Sequence, residues 1–100
     1  MLQANYSLEV KEHAMKQIRD AFLYYESLAL GLGEKILQSW ENTANQVEIN
    51  PLGFQKKYKN FRQALLKNFP YVIMYEIDKS SIIVYSVIHT SRKTKLRFNK

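Results

Sequence analysis

Between Val10 and Ala14 the spacing of the apolar residues changes, and a chain with that change cannot fold as one kind of secondary structure throughout. Up to Val10 the spacing is two: Leu2, Ala4, Tyr6, Leu8 and Val10 point one way, and Gln3, Asn5, Ser7 and Glu9 the other. That alternation predicts a half-buried strand. From about Glu12 the residues Ala14, Ile18, Ala21, Phe22 and Tyr25 share one helical face, which predicts a helix ending near Leu30, ahead of Gly31 and Gly33. A second helix follows, with Ile36, Leu37, Trp40, Ala44 and Val47 on its apolar face and Glu34, Gln38, Glu41 and Asn45 in water. The short link makes the two an antiparallel hairpin, with Tyr24, Tyr25 and Trp40 read as the residues that close it onto a sheet.

After the turn residues Asn50, Pro51 and Gly53 the pattern returns to strands. Tyr71–Ile77 and Ile82–Thr90 are rich in Val, Ile and Tyr and flank the polar tetrad Asp78, Lys79, Ser80 and Ser81, which predicts a β-hairpin. Ile82, Ile83, Val84, Val87 and Ile88 fall on both faces of the last strand, so that strand is expected inside the sheet and covered by the helices. The stretch from Tyr58 to Phe69 fits a helix as well as a strand, because Phe61, Ala64, Leu65 and Leu66 suit either. At 100 residues, neither half is large enough to fold alone, so residues 1–100 are expected to form one domain, with 91–100 a basic, mobile tail.

Charge divides the chain where the pattern changes. Residues 1–50 carry four bases against seven acids, a net −3, and residues 51–100 carry eleven bases against two acids, a net +9. A positive field of that kind attracts phosphate backbones or an acidic protein partner, and charge alone does not choose between them. Lys56, Lys57 and Lys59 alternate with Phe54, Tyr58 and Phe61, a mixture that suits single-stranded nucleic acid and equally suits a hairpin packed by its own rings. His89 stands at the end of the last strand, three residues before Arg92. An imidazole there can exchange protons near neutral pH, or simply hydrogen-bond the next loop.

Other chemistries are not signalled. The chain has no cysteine, and His13 and His89 have no local ligand cluster, so no metal is expected. There is no glycine-rich phosphate loop or serine nucleophile elbow, and no cofactor is expected. With no apolar run of membrane-spanning length and a start, MLQANYSLEV, unlike a signal peptide, the expected compartment is the cytoplasm and no membrane partner is expected.

The run Phe69-Pro70-Tyr71-Val72-Ile73-Met74-Tyr75, then the strand Ile82–Ile88, then His89-Thr90-Ser91-Arg92, resembles the RelE/ParE family of type II toxin–antitoxin toxins, also called plasmid stabilisation toxins. Members read F-P-Y-x-I-x-Y, a short turn, a β-branched strand and H-x-x-R. Upstream, Arg62 matches an arginine before the F-P-Y strand, and Ala14, Asp20-Ala21, Tyr24-Tyr25 and Leu32-Gly33 resemble the family's helical hairpin. The resemblance implies an α+β domain, a two-helix hairpin on a mostly antiparallel four-stranded sheet in the order β-α-α-β-β-β, and makes the later part of 58–69 a strand. It also implies a cognate antitoxin partner and growth inhibition.

Two kinds of toxin share that fold. RelE-like members are metal-independent endoribonucleases that cut messenger RNA in the ribosome, and this is the first reading: Arg62 and Arg92 would stabilise transition-state charge and His89 transfer a proton. Lys56, Lys57, Lys59, Lys93, Lys95 and Arg97 would then hold the RNA or another target. The alternative is a ParE-like, non-enzymatic inhibitor of DNA gyrase, or a family member with another target. Two departures bear on the choice: no tyrosine follows Tyr85, where RelE-like nucleases often place an aromatic group near the C-terminus, and Thr94 stands where a proline is frequent after the H-x-x-R arginine.

Overall fold

The computed structural model describes residues 5–92 of the chain; the expectations for Leu2, Ala4, Lys93, Lys95, Arg97 and most of the 91–100 tail lie outside the described residues. Strand β1 is Ser7–Val10, helix α1 Glu12–Leu28 and helix α2 Leu32–Ile49. After a 3-10 turn at Pro51–Gly53 come β2 (Lys56–Tyr58), β3 (Phe61–Leu65), β4 (Tyr71–Asp78) and β5 (Ser81–His89), then a 3-10 turn at Thr90–Arg92. The sheet order is β1-β5-β4-β3-β2. Among the described strands only β1 runs parallel to its neighbour, Leu8 pairing with Ile82 and Val10 with Val84. The architecture is the α+β one expected, with a fifth strand, β2, added at the edge beyond the expected four.

The helices cover one face of the sheet. Ala14 and Ala21 of α1 and Ile36 and Val47 of α2 bury against Ala64, Tyr71, Ile73, Tyr75, Ile82, Val84 and Val87, with Tyr6, Leu8 and Val10 of β1 packed at the margin. Tyr25 performs the closing role expected of it, meeting Phe69 at 5.1 Å and Tyr71 at 6.2 Å between ring centroids. Trp40 also packs against this core. Tyr24 does not: it is 57% exposed, lying over the sheet's end rather than in the core.

The hairpin is locked at its turn by two features. Gly31 holds a left-handed φ of 88° and, as the N-cap of α2, has no side-chain cap of its own. Glu26 supplies one from α1: its carboxylate accepts the Gly31 amide at 3.1 Å and the Gly33 amide at 3.0 Å, placing negative charge at the start of α2. Gly33 in turn lies against Phe22, where an added Cβ would stand 2.6 Å from Cδ1 and 2.8 Å from the backbone oxygen. The oxygen cannot swing aside, so Gly33→Ala is expected to cost about 1–3 kcal/mol despite alanine's better helix propensity. Urea denaturation monitored by circular dichroism measures it, and an unchanged midpoint would show that the helices can part without loss.

Strand β5 is internal, between β1 and β4, and α1 packs over it. Its alternation breaks at Tyr85, where the pairing passes from Tyr75–Val84 to Met74–Ser86. Such a bulge turns the following residues over. Ile82 and Val84 before it and Val87 after it therefore all reach the helical core, and Gln17 of α1 accepts the Val87 amide at 2.8 Å.

Candidate functional site

The bulge directs the last residues of β5. Val87 and the pair Tyr71–His89 line a groove of about 540 Å³ with Gln17, Asp20 and Tyr24 of α1. His89 lies edge-on to Tyr71, ring centroids 5.2 Å apart. Its Nδ1 accepts the Ser91 amide at 3.1 Å and stands 2.8 Å from the Ser91 hydroxyl. A backbone amide can only donate, so with this bond in place Nδ1 carries no proton and Nε2 does. His89 thus makes the loop hydrogen bond that was one of its two readings, which leaves Nε2 as the nitrogen for any other contact. Arg92 follows in the turn Thr90–Arg92.

Arg62 is elsewhere. It pairs with Tyr75 on β4, while His89 pairs with Tyr71. Four residues of β4 and two strand spacings separate them, which puts their Cα atoms roughly 16 Å apart. The Arg62 guanidinium is engaged where it stands: Nη1 donates to the Phe54 carbonyl at 2.6 Å, fastening the loop after the Pro51–Gly53 turn. Beside it, the Tyr75 hydroxyl donates to the Pro51 carbonyl at 2.6 Å. Burial pushes the Tyr75 phenol up to about 12, against a smaller opposite pull from Arg62.

The lysines form a third place. Lys56 and Lys57 lie on β2, exposed at the sheet edge, and Lys59 sits in the turn to β3 with a positive φ of 52°. Lys59 Nζ stands 5.5 Å from the centre of the half-exposed Tyr58 ring. Of the other aromatics, Phe61 is buried and Phe54 is packed against the core, so the interleaving mostly serves the fold. The structure thus brings His89 and the Arg92 backbone together, and separates them from Arg62 and from Lys56, Lys57 and Lys59. Gln17, Tyr24 and Tyr71, which share the groove with His89, were not foreseen as neighbours; the parity break from Val84 to Val87 is the signal that could have located the bulge.

Among the described residues no three His, Asp or Glu side chains converge as metal ligands. No described helix is long and apolar enough to cross a membrane.

A family profile described as the ParE toxin of type II toxin–antitoxin systems, parDE, matches residues 8–94. Among solved structures, the chromosomal ParDE TA system from P. aeruginosa has a chain that superposes with a TM-score of 0.75, at 13% identity, covering 87% of this chain and 98% of that one. At that identity the likeness is one of fold. No curated protein matches the sequence.

Proposed function

The chain belongs to the ParE toxin family of type II toxin–antitoxin systems, and from that premise we propose that it acts in the cytoplasm as a non-enzymatic inhibitor of DNA gyrase, restrained by a cognate antitoxin. Among the structural observations, the separation of Arg62 from His89 carries the mechanism. A metal-free ribonuclease needs its proton-transfer and charge-stabilising groups around one phosphate, within hydrogen-bond reach of it. Arg62 and His89 lie on β3 and β5 with β4 between them, and the Arg62 guanidinium is committed to Phe54. This supports the binding-module reading over ribosome-dependent cleavage, the first expectation from the sequence.

A binding module needs a surface. The closed end of the helical hairpin offers exposed apolar residues, Leu23 at 57%, Leu28 at 58% and Leu30 at 96%. Such side chains suit a protein target better than a phosphate backbone. The basic second half suits an acidic antitoxin segment laid over the surface near Arg62 and Arg92.

The test sets the purified chain in a gyrase supercoiling assay and, in parallel, in a cell-free translation reaction. Supercoiling is expected to stop and translation to continue, and adding the product of the neighbouring gene is expected to restore supercoiling. His89→Ala is expected to inhibit as the parent does, while Leu28→Ser with Leu30→Ser is expected to weaken inhibition without lowering stability. Cut messages, with supercoiling untouched, would return the chain to the nuclease reading.

A further inference from the structure

We infer that the groove between helix α2 and the open end of strand β3 binds an extended, acidic segment of a partner protein, laid against β3 as an added strand. The groove holds about 790 Å³, and neither Arg62 nor the leucines at the tip of the helical hairpin line it.

One wall is backbone. Successive residues of an antiparallel strand turn their N–H and C=O groups to opposite sides. On β3 the Gln63 amide donates outward to the Gln55 carbonyl at 3.2 Å, and the Leu66 amide donates inward to the Tyr71 carbonyl of β4 at 2.9 Å. Leu65 therefore turns its backbone groups outward, as Gln63 does. No described strand meets it there: β2 starts at Lys56, and ahead of Gln55 the chain has turned off through Pro51–Gly53. The Leu65 side chain lines the groove and is 64% exposed. Main-chain groups at such an edge are a template for strand addition.

The opposite wall is carboxamide. Asn42 and Gln46 line the groove one turn apart on α2, both exposed, and among the described residues neither side chain has a hydrogen-bond partner. A carboxamide donates and accepts at once, which matches the peptide groups on the outer side of an added strand. Between the walls, the buried Ser39 hydroxyl donates to the Lys67 carbonyl at 2.7 Å and ties α2 to the link after β3.

Charge gives the sign of the occupant. Lys35 and Lys67 are exposed in the lining, which holds no acid, while Glu34, Glu41 and Glu48 share a separate stripe of α2. Single-stranded nucleic acid fits less well, because the one ring in the lining, Phe69, is packed against the core and Tyr25. The edge of β2 is the rival place, but it is three residues long and its pairing is broken by a register shift.

The probe is a capped hexapeptide alternating glutamate and valine, added to the isotope-labelled full chain. It is expected to bind in the millimolar range and to shift the Leu65 backbone amide and the side-chain amides of Asn42 and Gln46. Lys35→Glu with Lys67→Glu, both at exposed positions, is expected to keep the fold by circular dichroism and weaken binding at least about tenfold. The same variant is expected to take the lysine–valine counterpart, which the parent refuses. Asn42→Ala with Gln46→Ala, which changes no charge, is expected to weaken binding too, and the glutamate peptide N-methylated at every amide is expected to shift nothing. Equal binding of the methylated peptide, or binding that survives the charge reversal, would overturn the inference. So would shifts confined to residues 56–59, or none at millimolar peptide. Hexauridylate shifting Leu65, Asn42 and Gln46 in place of the peptide would overturn it as well, since the occupant would then be RNA. The purified chain is used without gyrase or antitoxin, so failure here leaves the proposed target standing.

Discussion

Val84→Asp is expected to leave no stably folded protein, whereas Ile83→Asp, one residue away on the same strand, is expected to fold. Val84 is fully buried among the residues under the helices and pairs with both Val10 and Tyr75. A carboxyl group confined there must either ionise in an apolar site or stay protonated at neutral pH. Buried carboxyls have their pKa raised by up to 3–5 units, and at neutral pH keeping such a carboxyl protonated costs about 4 kcal/mol before the lost packing is counted. Whole domains are stable by only about 5–15 kcal/mol. Ile83 lies on the other face, is partly exposed and stands opposite Glu76. An aspartate there meets a like charge across the ladder and gives up some apolar burial, together about 1–2 kcal/mol. Far-UV circular dichroism and urea denaturation of the two variants decide the matter. Equal losses would mean that the two faces of β5 are not distinguished as the register indicates.

How far such a face assignment can be read from sequence differs along the chain. In β1 the alternation was sufficient: Tyr6, Leu8 and Val10 pack on the core while Asn5, Ser7 and Glu9 are exposed. The parallel pairing with β5 was not legible, because nothing local in β1 records which distant strand it joins. In β3 the pattern misled. Phe61 and Ala64 have the separation of helical neighbours, but they bury on opposite faces of a strand, Phe61 on the back and Ala64 under the helices. A sheet with two covered faces produces that spacing without a helix. Strand β2 could not be seen at all, since Lys56, Lys57 and Tyr58 are all exposed and leave no apolar alternation to read.

The site shows the same limit more sharply. Arg62, His89 and Arg92 were grouped because a family pattern places them in order along the chain, yet order along the chain does not fix position across a sheet. Strand β4 lies between β3 and β5, so Arg62 opposite Tyr75 and His89 opposite Tyr71 stand in two separate places. Ser39 and Thr43 of α2 give a smaller example: both are polar by sequence and both are buried. Ser39 resolves this by donating its hydroxyl to the Lys67 carbonyl at 2.7 Å, a partner 28 residues away that periodicity cannot supply.

Raising the pH is expected to destabilise the fold in a window that Tyr75 sets. The side chain is fully buried, its hydroxyl donates to the Pro51 carbonyl, and burial pushes its phenol from 10.0 up to about 12, Arg62 offsetting part of the rise. The folded state therefore holds this proton more tightly than the unfolded chain does. Below pH 10 both states are protonated and the contribution is fully present; from there to about 12 the unfolded chain loses its proton first and stability falls as pH rises. A difference of that size corresponds to roughly 2–3 kcal/mol by the upper end of the window. Tyr85 is also raised, by burial first and then by Glu76, so it adds to the loss in the same direction. Tyr75→Phe separates the two. At neutral pH it removes the hydrogen bond to Pro51 and is expected to cost about 1–2 kcal/mol, but its stability is expected to decline less between pH 10 and 12 than the parent's. Urea midpoints taken across that range for the parent, Tyr75→Phe and Tyr85→Phe give the comparison. Parallel curves for the parent and Tyr75→Phe would show that the Tyr75 proton is not held by the fold, and that the link from β4 to the Pro51 turn opens before the protein unfolds.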